Sequence, residues 1–401
     1  MTRESEPPRS RGANTRVLHG TGHRPAGSIG TPIVHSATFT APSLDAMLHE
    51  QELGAGGRFY ARMGHPTLHA LESQLAELED AEDALLFGSG MAAISSTMLA
   101  HLRSGDHIVA LRQCYGGTIE LLHWGAERFG WSVTFVDARD PESWEAAFAG
   151  NTRILHVESP TNPTLCVVDL ERAATLAHRR GALFSVDNTF ASPVGQHPMA
   201  LGADLVTYSA TKSIGGHSDL LAGVALGSRE RIEAIFHARV AFGGTCDPTT
   251  AWLIERSLKT LPMRVAAANA NALGLATRLA RHPDVLAVHY PGLATHPGHG
   301  IASRQMALGF GPVIAIELRD AEQARALLEG VTLFGLGPSL GGVDSLIGLP
   351  AVTSHRGLTP AERAAAGIPD GMVRLSIGIE DLEDLWADLD RALTRSKVAS
   401  G

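Results

Sequence analysis

Between residues 67 and 208 the chain alternates short apolar runs with segments whose apolar residues recur at helical spacing, and this alternation constrains the fold more than any other feature. Strands are predicted at 84–87, 107–111, 133–136, 153–157, 182–186 and 204–208. Helices are predicted between them. The first is capped by Thr67 and carries Leu68, Leu71, Leu75 and Leu78; others run over 92–102, 116–129 and 170–180, and one opens at Asp140-Pro141. Strands that return through helices build a mostly parallel sheet covered on both faces, an α/β fold whose ligands lie outside the strand carboxyl ends.

Those ends carry the residues suited to chemistry. Lys212 follows the strand at 204–208, in Tyr208-Ser209-Ala210-Thr211-Lys212, and opens a loop of small residues, 213–218. Desolvation at such a place lowers a lysine's pKa and frees the amine to attack an aldehyde and hold it as a Schiff base. Asp187 ends the strand at 182–186, in Val186-Asp187-Asn188-Thr189. A lysine for the aldehyde and an aspartate for a pyridine nitrogen are the two protein groups that let pyridoxal phosphate act as an electron sink. Gly88-Ser89-Gly90-Met91 supplies a third part, a glycine turn between strand and helix that points backbone N–H groups at an anion. Ser209-Ala210-Thr211-Lys212 also fits the S-x-x-K of serine acyl-enzymes. That reading needs S-D-N and K-T-G partners, and the nearest stretches, His217-Ser218-Asp219-Leu220 and Lys259-Thr260-Leu261, do not match.

Composition narrows the classes. A chain of 401 residues suffices for more than one domain, and a net charge of −9 disfavours a nucleic-acid partner. No apolar run reaches membrane-spanning length, and the first dozen residues, charged and proline-rich, lack the core of a signal peptide and read as a disordered tail. Cys114, Cys166 and Cys246 are widely spaced and form no CxxC pair, so neither a disulfide framework nor a metal site is indicated, and a cytoplasmic location is expected. The 19 histidines form no metal-ligand spacing.

Three regions are expected. Residues 1–63 read as an N-terminal arm, since 12–57 hold few periodic runs and many Gly, Pro and Ser. Residues 64–258 form the sheet domain. Residues 259–401 form a smaller C-terminal α/β domain, with a strand of alternating exposure at 313–318 and an amphipathic closing helix at 381–393.

Several motifs in this order resemble the Cys/Met-metabolism family of pyridoxal-phosphate enzymes. They are Val186-Asp187-Asn188-Thr189, Ser209-Ala210-Thr211-Lys212 followed by Gly216-His217-Ser218-Asp219, and Glu158-Ser159-Pro160-Thr161-Asn162-Pro163. Tyr115-Gly116-Gly117, Ser339-Leu340-Gly341-Gly342 and Val373-Arg374-Leu375-Ser376 complete the set, and the likeness runs from about 31 to 388. It implies the fold-type-I architecture and pyridoxal 5'-phosphate as cofactor. By the same resemblance Tyr115 stacks on the cofactor ring and works as an acid–base group, and Asn162 bonds the ring oxygen. Ser89, Gly90, Met91, Ser209 and Thr211 cradle the phosphate, and Arg374 with groups near Ser339 holds the substrate carboxylate. Glu158 reads as a supporting residue.

Tyr60 and Arg62 match a pair that the family carries into the phosphate site of an adjacent subunit, which implies a homo-oligomer, a tetramer with shared sites. Three departures stand out: His65 where the family has Asn, Tyr208 where histidine is more usual, and Gly117 where methionine γ-lyases often carry cysteine. Family members that handle cystathionine often place a glutamate before the Ser-Leu-Gly-Gly motif, whereas this chain has Gly337-Pro338. The resemblance therefore implies a carbon–sulfur lyase acting by γ-elimination on a small amino acid, methionine foremost. Cystathionine γ-lyase, cystathionine γ-synthase and O-acylhomoserine sulfhydrylase are the alternatives, because the shared motifs serve chemistry common to all of them.

Overall fold

The computed structural model describes residues 11–19 and 28–399, with side chains to residue 396; residues 1–10 of the expected disordered tail lie outside the described residues. Seven strands form the larger sheet: β1 (Asp83–Phe87), β2 (His107–Leu111), β3 (Ser132–Val136), β4 (Thr152–Glu158), β5 (Leu183–Asp187), β6 (Leu205–Ser209) and β7 (Gly223–Gly227). Their order is β1-β7-β6-β5-β4-β2-β3. Strands β3, β2, β4, β5 and β6 pair in parallel, and β7 runs antiparallel between β6 and β1. Apart from Arg153, every residue of β2, β4 and β7 is buried, as expected of apolar strands covered on both faces.

The helix at the start of the domain corrects one detail of the sequence reading. It spans Pro66–Glu79 and is capped by His65, whose Nδ1 accepts from Thr67 N, with Pro66 at the first helical position. Thr67 is instead buried, and its hydroxyl accepts from Val34 N at 3.0 Å. The segment opened by Asp140-Pro141 is a 3-10 helix, Pro141–Ala147, not an α-helix. Asp140 makes no capping bond there, and Trp144 Nε1 is drawn to Asp137 O at 2.7 Å. The arm is also more structured than its composition suggests. Helix Ala13–His19 buries Val17 beside the Pro66–Glu79 helix, and Ser43 caps a second helix, Leu44–Glu52.

The smaller sheet contains β8 (Ala287–His289), β9 (Val313–Glu317), β10 (Gly335–Leu336), β11 (Leu346–Gly348) and β12 (Met372–Ser376), in the order β10-β11-β12-β9-β8. The expected alternation of β9 is absent: Val313 to Ile316 are all buried. Ile314 and Ile316 pack with the C-terminal helix, whereas Val313 and Ala315 pack with Leu165 and Phe190 of the larger unit. A strand sandwiched between helices and a neighbouring unit has no solvent face. The closing helix, Leu382–Ala399, buries Leu385, Leu389, Ala392 and Leu393 as its amphipathic pattern predicts. Asp388 on it is 1% exposed and accepts from Thr332 N, Thr332 Oγ1 and Leu333 N, which ties the chain entering β10 to this helix.

Candidate active site

The carboxyl ends of β2, β4, β5 and β6 open on one crevice, and each delivers a candidate residue to it. Tyr115 follows β2, Glu158 ends β4, Asp187 ends β5 and Lys212 follows β6. Glu158 and Asp187 are register partners on adjacent strands, so their carboxyls sit side by side. Burial pushes both pKa values up, and Asp187 raises Glu158 further. Each carboxyl is held by donors. Glu158 accepts from Tyr115 N at 2.8 Å, and Asp187 accepts from Thr189 N at 3.0 Å and Thr189 Oγ1 at 2.5 Å.

Lys212 Nζ donates to Ser339 Oγ at 2.9 Å, joining the large-sheet loop to the smaller unit. Burial pulls its pKa from 10.5 to about 8; nearby Arg374 pulls in the same direction and Asp187 opposes both. Raising the pH strips the ammonium proton, and only the neutral amine attacks an aldehyde. The apoprotein should therefore take up pyridoxal phosphate faster as pH rises through about 8, instead of near the 10.5 of a free lysine. Stopped-flow uptake rates across that range check this, and a profile still climbing steeply above pH 10 would show an unperturbed amine.

Arg374, on β12, is 5% exposed and has no carboxylate salt bridge among the described residues. Its guanidinium donates to Asn162 Oδ1 at 3.1 Å, Pro338 O at 2.7 Å and Ser339 O at 3.0 Å. Burial lowers its pKa to about 10 while Glu158 holds it up. A buried cation bonded mostly to carbonyl oxygens is ready to receive a carboxylate. Asn162, expected to face a cofactor ring, is thus in contact with this arginine.

The glycine turn joins β1 to a helix, as its sequence predicts. Ser89 caps helix Gly90–His101 through Ala92 N at 3.1 Å. A Cβ on Gly90 would lie 2.8 Å from Ser209 Cβ, so only glycine lets the helix N-terminus come this close to β6. Met91 lies beside Gly117, where an added Cβ would meet Met91 Sδ at 3.1 Å and Tyr115 Cε1 at 2.7 Å. Thr211 closes a loop with Ala222, accepting from its N at 3.0 Å.

Tyr60 and Arg62 are not brought to this crevice within the chain. Arg62 Nη1 donates to Val240 O at 2.6 Å, and its guanidinium lies over the Tyr60 ring at 5.5 Å from the centroid. Tyr208 alternates with Thr207 and Ser209 along β6 and so faces away from the crevice. There its phenol bonds Glu79 and accepts from Asn188 Nδ2 at 2.7 Å, which explains how a tyrosine is accommodated at this position.

Sequence reasoning missed two residues. Thr189 bridges β5 and β6, since its hydroxyl accepts from Ser209 N at 2.9 Å while donating to Asp187. His355 is 1% exposed, and burial, reinforced by Arg374, drives its pKa down to about 4, so it is a neutral imidazole beside the arginine. Thr189 stands within a quoted motif and was findable as a hydroxyl two residues after the aspartate. His355 had no local signal.

These residues fit pyridoxal phosphate. The buried Asp187 carboxyl has hydrogen-bond donors but no ion-pair partner among the described residues, the environment that a protonated pyridine nitrogen would complete. Thr207 Oγ1, on the same sheet face by register with Asp187, is buried without a partner. The Gly90 close approach leaves a helix N-terminus beside Ser209 for a phosphate.

Comparison with known proteins agrees. The sequence profile of the Cys/Met-metabolism PLP-dependent enzymes matches residues 14–394. L-methionine gamma-lyase of Fusobacterium nucleatum subsp. polymorphum is 41% identical over 96% of this chain and 98% of its own length. Cystathionine gamma-lyase of Bacillus subtilis is 41% identical over 94% of this chain and 98% of its own. Cystathionine gamma synthase of Xanthomonas oryzae pv. oryzae, solved in complex with cystathionine, superposes with a TM-score of 0.91 at 38% identity, covering 96% of this chain and 98% of that one. The chain therefore belongs to the Cys/Met-metabolism family of enzymes, and its cofactor is pyridoxal 5'-phosphate.

Proposed function

We propose that the protein catalyses γ-elimination from a short, uncharged thioether amino acid, methionine first among them, giving 2-oxobutyrate, ammonia and a thiol. The observation that carries this reading is the cavity beside Pro338, about 530 Å³, in which Leu336, Pro338, Ile347 and Val352 form apolar walls, Arg356 is the one charged residue and no carboxylate contributes. In this reading the leaving group, departing between Lys212 and Tyr115, enters that space, which Tyr115 lines. Apolar walls favour an alkylthio group, at about 0.8 kcal/mol per buried methylene. They offer nothing to the ammonium at the far end of cystathionine. The equal identity to a methionine and a cystathionine γ-lyase leaves the choice to this pocket.

Bound pyridoxal phosphate supplies the electron sink that makes protons on the substrate's Cα and Cβ removable. Lys212, with its amine freed, is placed to move both protons. Asp187, aligned by Thr189, keeps the ring nitrogen protonated. Arg374 holds the substrate carboxylate, and Tyr115 delivers a proton to the departing sulfur. The kcat/KM for methionine should exceed that for cystathionine by the equivalent of about 1–2 kcal/mol, the scale of one missing charge contact. Initial rates with both substrates, followed by 2-oxobutyrate, test the ranking. A clear preference for cystathionine, or turnover only with an activated homoserine ester and a thiol, would overturn it.

The same reading places Tyr60 and Arg62 in the site of a second copy, in an obligate dimer at least and a tetramer of two such dimers. Arg62→Ala and Lys212→Ala subunits, each inactive alone, should regain part of the activity when mixed, because some hybrid sites contain neither lesion. Absence of recovery despite demonstrated subunit exchange would mean that each site is built from one chain.

A further inference from the structure

We infer that Arg356 selects for leaving groups that end in a carboxylate, so that the site also cleaves ω-carboxyalkyl thioethers of homocysteine. This inference rests on the γ-elimination reading above and extends its range of substrates.

The cavity that receives the leaving group is lined by uncharged residues with one exception, Arg356. This arginine is exposed and forms neither an ion pair nor a side-chain hydrogen bond with any described residue. Its loop is well anchored. His355 N donates to Pro350 O at 2.9 Å, Leu358 N donates to His355 O at 3.1 Å, and the His355 ring is buried. A Cβ on Gly116 would strike Ser354 O at 2.2 Å, so the loop lies directly on the start of the helix that follows Tyr115. An acidic side chain borders this loop: Glu120 Oε1 lies 3.1 Å from where a Cβ on Gly357 would sit, but it does not line the cavity.

The geometry of the pocket orders the substrate. Arg374 takes the α-carboxylate at the inner end, where it already holds Pro338 O and Ser339 O. The chain beyond sulfur then passes Pro338 into a cavity whose lining also holds Leu336, Val352 and a second cation, Arg356. A single unpaired guanidinium at the mouth of an apolar channel attracts a carboxylate and repels an ammonium. Arg374, bonded to Pro338 O behind the cavity wall, and Arg356 on its lining suit a substrate with a carboxylate at each end and no distal amine.

S-(2-carboxyethyl)homocysteine is the probe. Its cleavage breaks the Cγ–S bond, with the electron pair and a proton going to sulfur, and releases 3-mercaptopropanoate. One water supplies the keto oxygen of 2-oxobutyrate as the amine leaves as ammonia, so no oxidant or reductant is consumed.

The test uses the holoenzyme and reads a ratio: kcat/KM for S-(2-carboxyethyl)homocysteine over kcat/KM for methionine. Arg356→Gln should lower that ratio roughly tenfold, the low end for a charge-assisted hydrogen bond at an exposed site. Arg356→Glu should lower it further and shift preference toward S-(2-aminoethyl)homocysteine, while Arg356→Lys should restore most of it. The loss should fall mainly on KM. Retention of cofactor absorbance in each variant confirms that the folded site is being compared. A ratio unchanged within about twofold in both Arg356→Gln and Arg356→Glu would overturn the inference and leave the γ-elimination reading intact. Failure of the wild-type protein to release 2-oxobutyrate from any of the three thioethers would overturn both.

Discussion

Lys212→Ala is expected to abolish turnover, with a loss on the order of 10⁴ or more, and to remove the yellow covalent form of the holoenzyme while leaving the fold largely intact. The size follows from the number of tasks on one amine. In the proposed reaction Lys212 binds the aldehyde and moves the protons at both Cα and Cβ. Among the described residues, the side chains that bond it or act on its charge are Ser339, Arg374 and Asp187, and none of them carries an amine. The fold should survive because the side chain makes one side-chain bond, to Ser339 Oγ, while the loop around it is held by backbone contacts such as Gly215 N to Ala210 O at 2.7 Å and Gly216 N to Lys212 O at 2.7 Å. Circular dichroism, the visible spectrum and 2-oxobutyrate release distinguish these effects. A variant that eliminates at the wild-type rate would sink the assignment. Ser209→Ala offers the contrast, since a serine acyl-enzyme would lose all activity with that substitution, and its unsubstituted form would be active without colour.

Tyr115→Phe is expected to keep the cofactor bound and to lose about 10²–10⁴ in kcat, the usual span for a positioned acid–base group. Tyr115 is 41% exposed and stands at the head of helix Gly116–Phe129, fixed through its backbone N to Glu158 and packed beside Gly117. Phenylalanine preserves that ring packing and deletes only the hydroxyl, so the experiment separates stacking from proton transfer. If the variant binds the cofactor more weakly but turns over normally when saturated, the ring alone matters. The close fit also bears on the departure at position 117. A Cβ there would meet Tyr115 Cε1 at 2.7 Å, so a cysteine in this backbone would displace the ring.

The alternation of apolar runs and helical segments was sufficient to place Asp187 at the end of β5 and Lys212 just past β6, because strands covered on both faces are mostly apolar, even though these two also bury Ser185 and Thr207. The glycine turn at Gly88-Ser89-Gly90 was equally legible, since close approach of a helix to β6 demands a residue without a Cβ. The amphipathic closing helix needed only its own period.

What escaped the sequence shares one physical cause: it depends on partners distant in the chain. The strand β7 and its antiparallel insertion between β1 and β6 are decided by pairing, which leaves no local period. The burial of β9 on both faces comes from Leu165 and Phe190, which its own residues do not announce. His65 wins the helix cap because Thr67 is taken by Val34. Lys212 meets Ser339 across 127 residues and Arg374 meets Asn162 across 212, and hydrogen bonds of that span exist only once the two sheets are packed together. The chemical groups of the site are therefore written locally in the chain. Their pKa values and mutual contacts are set by the desolvation and long-range pairing that tertiary structure alone creates.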